Sequence, residues 1–290
     1  GRCAWRTYHS AAIQRAAEEE GVQLLFDNAE QKQENQIKAI RSFIVYRVDV
    51  IAFVPIVQEG WDTVLREAKK AGIPVIVCDR KIRTADESLY AAYIGTDSVE
   101  EGRQAALFLQ AKYADKKGGK PLSILEIRGT DGSSASDGRM QGFHAQLAGD
   151  RRFRVIRSEN GNFMRSRGRE IAGTILKENG ALSLSGQSVD ILFAANDGMA
   201  LGFIEVLKKQ GLAPGAHLTV VSVDGQQEAV DALKAGEINC VIECRPDMGH
   251  QVMETAKRLA AGLPVERAVL LSGQVFTEND DLTQIPDRGY

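Results

Sequence analysis

The chain has 290 residues, of which 43 % are hydrophobic and 26 % are charged, and its formal net charge is −3. This length is enough for two domains, each with its own hydrophobic core. The small net charge and the absence of a long basic run exclude the electrostatic profile of a nucleic-acid-binding protein. No apolar segment reaches the ~20 residues of a membrane span and no signal peptide is recognisable, so we expect no membrane insertion.

The first third of the chain alternates between helical and strand patterns. Ile37, Ile40 and Ile44 recur at helical spacing and mark a buried helix face. Trp61 follows the same spacing in the next helix and is predicted to be a core residue. Residues 1–6 are predicted to be irregular; helices are predicted over 9–20, 31–45 and 61–71, and strands over 22–26, 49–55, 75–77 and 90–95.

The same alternation continues to the end of the chain. Strands are predicted over 122–127, 153–157, 190–194, 218–223, 238–243 and 268–271, and helices over 98–113 and 247–261 and from near Ser134, Ser166, Gly198 and Gln226. This order predicts parallel sheets with helices on both faces, and two sheets fit domain sizes better than one. No strand precedes the first helix, so either the first lobe lacks one strand or the natural protein begins earlier.

The four cysteines are predicted to be free thiols, most of them buried. Cys240 and Cys244 are four residues apart on a predicted strand, about 13 Å at the rise of a strand, which is too far for a disulfide. The other two cysteines are Cys3 and Cys78. No CxxC pair or histidine-rich spacing indicates zinc, and we predict neither a metal nor a cofactor.

Three predicted strands end in polar residues. Asp79–Arg80, Asn196–Asp197 and Asp224–Gly225 each follow an apolar run and precede a helical pattern. In a parallel sheet the carboxyl ends of the strands face the ligand crevice. The three ends together predict one polar cleft, although Asn196 alone fits a helix N-cap and Asp224 alone fits a turn residue.

An enzyme is the weaker hypothesis. The chain has no GxSxG, Walker or HExxH motif. Residues 129–134, GTDGSS, precede a helix and fit a phosphate cradle, but ordinary turn residues explain them equally well. His9, His144, His217 and His250 form no constellation in the sequence.

Several blocks of the sequence resemble a known family. They are QKQENQIKAIRSFI, VDVIAFVPI, IPVIVCDRKI, GTDSVEEG, NDGMALG and VSVDG. The chain is similar over almost its whole length to the periplasmic sugar-binding proteins of ABC transporters, in the ribose-binding-protein-like group. Residues 5–7, QKQENQ and Gly289–Tyr290 look most like its galactofuranose-binding members.

The resemblance implies an α/β fold of two Rossmann-like lobes with parallel sheets joined by three crossover segments, the periplasmic binding protein type I fold. The crossovers are expected near 95–96, 243–245 and 271–273. The lobes would comprise 1–96 plus 245–271 and 97–244 plus 272–290. Cys244 departs from the ribose binders, which have a polar amide there, so no ribose-type contact is assumed at that position.

The resemblance and the strand ends together predict the binding residues. Trp5, placed in a polar loop, and Phe163 would stack on a sugar ring; core packing is the alternative for Phe163. The hydroxyls would be bound by Arg6, Asp79 and Arg80 from the first lobe and by Arg139, Asn196 and Asp224 from the second. Asn160 and Glu243 are added by position alone, and no catalytic residue is predicted.

The resemblance therefore implies a monosaccharide receptor that delivers its ligand to the permease of an ABC importer. Galactofuranose is the predicted ligand, while arabinose, galactose and ribose stay open. We expect a monomer in the periplasm, or outside the cell and tethered to the membrane, without a nucleic-acid partner. The alternative is the effector domain of a LacI-type repressor that lacks its DNA-binding part.

Overall fold

A computed structural model describes residues 4–290. Its helices are α1 Ala4–Glu19, α2 Gln33–Val45, α3 Asp62–Lys70, α4 Ser98–Lys112, α5 Ser134–Leu147, α6 Arg165–Ala172, α7 Asp197–Lys209, α8 Gln227–Lys234 and α9 Gly249–Ala260. Its strands are β1 Ile51–Phe53, β2 Val75–Cys78, β3 Ala92–Gly95, β4 Leu122–Arg128, β5 Phe153–Asn160, β6 Ile175–Glu178, β7 Ala181–Leu184, β8 Gln187–Ser188, β9 Ile191–Ala194, β10 Thr219–Asp224, β11 Cys240–Glu243, β12 Ala268–Leu270 and β13 Val275–Thr277.

The first lobe is built on a parallel sheet with the order β1-β2-β3-β12. Successive residues of β2 enter different cores: Val75 packs with α2 and α3, and Ile76 packs in the cluster that contains α1 and α9 residues. Strand side chains alternate between faces, so the sheet is covered on both sides. Trp61 is completely buried in the α2–α3 cluster, which confirms its predicted place in the core.

The second lobe is built on a six-stranded sheet with the order β13-β11-β10-β9-β4-β5, in which only β13 is antiparallel. Helix α4 packs closely against α5 because glycines line the contact. A Cβ at Gly102 would lie 1.9 Å from the carbonyl oxygen of Arg139, and one at Gly142 would lie 1.8 Å from that of Val99. A side chain at either glycine would therefore push α5, which carries Arg139, away from α4.

Three segments cross between the lobes. They lead from β3 to α4, from β11 to α9 and from β12 to β13. The predicted fold of two α/β lobes with mostly parallel sheets is confirmed. The crossovers contact one another: Cys244 Sγ lies 3.4 Å from Thr96 Oγ1, and the N–H of Glu243 donates to the carbonyl oxygen of Gln274 at 2.8 Å. Together they form the connection between the lobes, called the hinge below.

The predicted strand over 22–26 is wrong, since residues 22–29 have no regular secondary structure. A strand needs a hydrogen-bonding partner, and in the described residues β1 ends the first sheet without one on its outer side. The irregular conformation predicted for 1–6 is also wrong at Ala4 to Arg6, which form the first turn of α1. Gly1–Cys3 lie outside the described residues.

The sequence analysis missed an antiparallel sheet formed by β6, β7 and β8. Its two tight turns are Asn179–Gly180 and Ser185–Gly186, and all four residues have positive φ between 49° and 79°. An Asn-Gly pair with positive φ at both positions is typical of two-residue hairpins. Strand β13, formed by the polar tail, was also missed.

Cys78, Cys240 and Cys244 are free and buried, as predicted; the prediction for Cys3 lies outside the described residues. No helix in residues 4–290 is long and apolar enough to cross a membrane. Within the same range no group of three or more His, Cys, Asp or Glu side chains is arranged to hold a metal ion.

Candidate binding site

The centre of the candidate site is the ring of Phe163, which lies near guanidinium groups from both lobes. The Cζ of Arg80, from the first lobe, is 5.3 Å from the ring centroid, and the Cζ of Arg139, from the second lobe, is 5.9 Å away. Arg80 follows β2, Arg139 lies on α5 and Phe163 follows β5. Arg80, from one of the predicted strand ends, thus lies beside a ring of the second lobe.

The first lobe contributes an ion pair beside this ring. Arg6 Nη2 donates to Asp79 Oδ2 at 2.8 Å, and the Arg6 guanidinium lies 4.8 Å from the Trp5 ring centroid. Burial favours a higher pKa for Asp79, but the charges of Arg6 and Arg80 and the hydrogen bond from Arg6 outweigh it and the pKa is lowered. Asp79 is therefore an ionised hydrogen-bond acceptor at neutral pH.

Arg80 keeps its positive charge although the site disfavours it. Burial and the neighbouring charge of Arg6 lower its pKa to about 10, which is still well above neutral pH. Its Nη1 donates to the carbonyl oxygen of Ile56 at 3.3 Å. Arg80 is thus attached to the first lobe while its side chain reaches the phenyl ring of the second.

The second lobe contributes Arg139, which is 4 % exposed and surrounded by acceptors. Its Nη1 donates to the carbonyl oxygen of Ala195 at 2.7 Å; its Nη2 lies 3.3 Å from Glu101 Oε2 and 3.7 Å from Asp224 Oδ1. Burial raises the pKa of Asp224 well above its usual range and also raises that of Glu101. Burial favours a lower pKa for Arg139, but the charges of Glu101 and Asp224 outweigh it and the pKa is raised.

Three of these arginines have a buried nitrogen without a hydrogen-bond partner in residues 4–290. They are Arg6 Nη1, Arg80 Nε and Arg139 Nε. A buried polar group left unsatisfied costs about 1–3 kcal/mol, and more when it is charged. The arginines that carry two of these donors, Arg80 and Arg139, lie beside the Phe163 ring, and Arg6 lies at Asp79. The group is therefore complementary to a ligand that offers oxygen acceptors and an apolar face.

The backbone at the site is held in an uncommon conformation. Asp79, Phe163 and Asp224 have φ values of 62°, 57° and 141°. Such positive φ values cost non-glycine residues about 1–3 kcal/mol each and cluster at functional sites. All three residues therefore depart from the regular strand conformation where they approach the cleft.

Asn196 and Gly129 position the phenyl ring. Asn196 Oδ1 accepts from the backbone N–H of Met199, and its Nδ2 donates to the carbonyl oxygen of Phe163 at 3.3 Å. It therefore caps α7 as well as anchoring the Phe163 loop. A Cβ on Gly129 would lie 2.1 Å from Cζ of Phe163, so glycine is required there to leave room for the ring.

The 129–134 segment, considered above as a phosphate cradle, has other roles here. Ser133 caps α5 by accepting from the N–H of Ser136, and Ser134 Oγ accepts from the N–H of Lys81 at 2.6 Å. Gln58 also joins the lobes, since its N–H donates to the carbonyl oxygen of Gly132 at 2.8 Å. The lobes are thus in contact at the cleft rim, which is a closed arrangement.

Trp5 is placed differently from the expectation. It belongs to the first turn of α1 rather than to a loop, it is 4 % exposed, and its Nε1 donates to the carbonyl oxygen of Cys244 at 2.6 Å. The Cys244 thiol in turn lies 3.4 Å from Thr96 Oγ1. Trp5 therefore joins α1 to two crossover segments, and its ring supports Arg6.

Asn160 and Glu243 have other contacts in the described residues, and Glu243 is paired in register with Asp224 across β10 and β11. Asn160 ends β5, and its carbonyl oxygen accepts from Arg167 Nη2 at 3.2 Å. Glu243 ends β11, where it forms an ion pair with Arg288 and its Oε1 accepts from the N–H of Gln274 at 3.3 Å. Glu243 thus lies in the hinge.

Sequence reasoning missed residues that support the site from behind. Asp197 accepts from the N–H groups of Gly225 and Gln226, each at 2.8 Å, and fixes the turn after Asp224. Burial raises the pKa of Asp197 to about 6, although these hydrogen bonds favour a lower value. Arg288 donates through Nε to the carbonyl oxygen of Gly225 at 3.0 Å. Asp197 directly follows Asn196 at the end of a predicted strand, which was a visible signal, whereas Arg288, 45 residues after Glu243, had none.

Two α/β lobes closed on a cleft of arginine, carboxylate and phenyl groups define the class of hinged solute-binding proteins. A family model described as a periplasmic binding protein domain matches residues 3–264. The chain belongs to this family.

Characterised relatives cover nearly the whole chain. The galactofuranose-binding protein YtfQ of Escherichia coli K12 is 33 % identical over 99 % of this chain and 89 % of its own length. A crystal structure from Mycobacterium smegmatis in complex with β-D-fucofuranose is 39 % identical, with a TM-score of 0.89 over 96 % of this chain and 88 % of that one. The arabinose-binding component of an ABC transporter from Shewanella sp. ANA-3, bound to α- and β-L-arabinofuranose, is 37 % identical, with a TM-score of 0.87 over 94 % and 88 %.

One of these relatives is a galactofuranose-binding protein and another is the periplasmic binding component of an ABC transporter, which confirms the prediction of a binding protein rather than an enzyme. They do not favour the repressor alternative.

Proposed function

We propose that the protein is a receptor that captures a monosaccharide in its furanose form, galactofuranose in particular, and delivers it to an ABC importer. The observation that carries the proposal is the set of unpartnered guanidinium nitrogens of Arg6, Arg80 and Arg139, of which the last two arginines lie beside the Phe163 ring. A furanose ring offers several hydroxyl acceptors and an apolar face to such a surface. The relatives with furanose ligands support this ring form.

Most of the proposed binding residues have a role that follows from their contacts. Arg6, Arg80 and Arg139 donate to sugar oxygens, Asp79 and Asp224 accept from hydroxyls, and Phe163 packs on the ring. Trp5 and Asn196 hold Arg6 and Phe163 in place. Asn160 and Glu243 stay as proposed contacts on position alone.

The energies are sufficient for tight binding. A micromolar Kd corresponds to about −8 kcal/mol. A charge-assisted hydrogen bond contributes about 1.5–3 kcal/mol. A few of these, together with stacking on Phe163, exceed the cost of ordering the sugar and closing the lobes.

We also propose how the receptor works in the cell. It acts as a monomer in the periplasm or at the cell exterior, and its closed form is presented to the importer's permease without a nucleic-acid partner. The lobes divide at the three crossovers, with 1–96 plus 245–271 in the first and 97–244 plus 272–290 in the second. Opening at the hinge then admits and releases the sugar.

A thermal-shift and calorimetric screen tests the proposal. The panel contains D-galactose, L-arabinose, D-fucose, D-ribose and D-fructose, all of which include furanose forms in water. A sugar at 100 times its Kd raises apparent stability by about 2.7 kcal/mol, so a binding sugar raises Tm measurably. D-galactose is expected to give the largest shift, without being consumed. The absence of a shift with every sugar, or turnover of one of them, contradicts the proposal.

A further inference from the structure

One buried polar side chain near the cleft has no role in the site described above. His9 lies on α1, is 4 % exposed, and its Nε2 is buried without a hydrogen-bond partner in the described part of the chain. A buried histidine with a structural role normally has its ring nitrogens bonded to protein groups. This nitrogen is therefore an unexplained cost to the fold.

The position of His9 connects it to the first-lobe half of the site. Its ring is stacked on Trp5, with centroids 5.3 Å apart and planes 12° apart, and Trp5 is itself bonded to Cys244 of the hinge. Arg6 precedes His9 by three residues, so both lie on one face of the helix. Because Arg6 binds Asp79, this face of α1 is turned towards the end of β2.

The charge state of His9 indicates what it can bind. Burial and the charge of Arg6 lower its pKa to about 4, although Asp79 opposes this change. The imidazole is consequently neutral at physiological pH and offers one donor and one acceptor. A sugar hydroxyl also donates and accepts, so it can pair with either tautomer, whereas a cation or an anion pairs with only one kind of group.

We propose that His9 is a further sugar-binding residue, whose Nε2 forms a hydrogen bond with one hydroxyl of the bound monosaccharide beside Asp79. The proposal rests on the proposed function. That hydroxyl donates to the Asp79 carboxylate and accepts from His9, which distinguishes it from a hydrogen or a methyl group at the same carbon. Desolvated polar pairs of this kind discriminate strongly against analogues that lack the hydroxyl.

The test compares His9→Phe with wild type by calorimetry. Phenylalanine keeps an aromatic ring against Trp5 but removes both nitrogens. The probes are D-galactose, 2-deoxy-D-galactose, D-fucose and L-arabinose, which differ by single hydroxyl or hydroxymethyl groups. His250→Phe is the matched control, since His250 is exposed and binds Glu20 on the protein surface.

We expect His9→Phe to bind D-galactose about three- to tenfold more weakly, the loss of one hydrogen bond. The Tm of the sugar-free variant should stay the same or rise by about 2–4 °C, because an unsatisfied buried nitrogen is removed. His9→Gln, which keeps a donor and an acceptor, should retain more affinity than His9→Phe, and His250→Phe should bind as wild type. His9→Leu replaces His9→Phe if the latter does not fold.

An unchanged affinity in His9→Phe overturns the proposal, and so does a loss of affinity that is accompanied by a lower Tm of the sugar-free protein and not reduced in His9→Gln. A wild-type protein that binds no sugar of the panel contradicts the proposed function itself, and this result is obtained before any variant is measured.

Discussion

The two halves of the candidate site are built differently. In the second lobe, Arg139 has a side chain that is 5 % exposed, and it contacts Glu101, Asp224 and a backbone carbonyl. In the first lobe, Arg6 has a side chain that is 23 % exposed, and its charge is paired with Asp79 alone among the described residues. The second half is therefore fixed by the fold, whereas the first half depends more on the ligand.

This difference has an energetic consequence. A buried charge network costs stability when one member is removed, because its partners stay behind uncompensated. A partly exposed arginine can be solvated by water when it loses a contact. At pH 7, arginine substitutions in the second half should thus change folding and binding together, and arginine substitutions in the first half should change mainly binding.

Arg139→Met should have the largest effect. It leaves Glu101 and Asp224 buried without their cation and should lower the free energy of unfolding by about 3–5 kcal/mol. Urea denaturation at pH 7 measures this. The matched control is Arg41→Met, which breaks the exposed pair with Glu67 and should cost less than about 1 kcal/mol. Equal stabilities of the two variants would contradict the claim that the second half of the site is fixed by the fold.

His9→Phe should change the acid stability of the first half. The folded-state pKa of His9 is lowered to about 4, while the unfolded value is near 6.5. Between these values the unfolded chain binds a proton that the folded chain does not, so stability falls as pH decreases from 6.5 to 4. The loss reaches about 3 kcal/mol and is absent in His9→Phe. Unfolding curves at pH 7 and pH 4.5 measure it, and parallel pH profiles of the two proteins would exclude a neutral buried imidazole.

Arg80→Met should weaken sugar binding without a comparable loss of stability. It removes a donor from the cleft and the contact with Phe163, and we expect about a 10- to 100-fold increase in Kd. Arg83→Met, which breaks an exposed pair with Glu59, should bind as wild type. Calorimetry measures both. A fall in Tm similar to that of Arg139→Met would show that the two halves do not differ.

Gly129→Ala should have the smallest effect of the series. The new Cβ displaces the Phe163 ring and should raise the Kd for D-galactose by about three- to tenfold, within the range expected for overpacking. In a Phe163→Ala background the same substitution should have no further effect on Kd. Additive losses in the double variant would mean that Gly129 acts independently of the ring.

The strand ends were predictable from sequence for a physical reason. Parallel strands bring their carboxyl ends to one edge, so apolar runs that end in Asp79, Asn196 and Asp224 already indicate a shared cleft. Arg139 and Phe163 came from the resemblance. Neither residue lies at a strand end. Arg139 is positioned by the close packing of α4 on α5, and Phe163 lies in a loop where its φ is positive.

Other features depend on tertiary partners that local sequence does not reveal. Residues 22–26 have strand-like composition but lack a neighbouring strand in the described structure. Glu101 looks like a solvated helix residue in the run Val-Glu-Glu-Gly, yet it is 6 % exposed because Arg139 binds it. Arg288 reaches Glu243 only because the tail returns to the hinge. The Asn179–Gly180 turn, in contrast, was a local signal that was missed.

The most direct measurement is a crystal structure with D-galactose bound. We expect a furanose ring packed on Phe163, with Arg6 Nη1, Arg80 Nε and Arg139 Nε each within hydrogen-bond distance of a sugar oxygen. A sugar bound elsewhere, or one bound here while these three nitrogens stay unpaired, would contradict it.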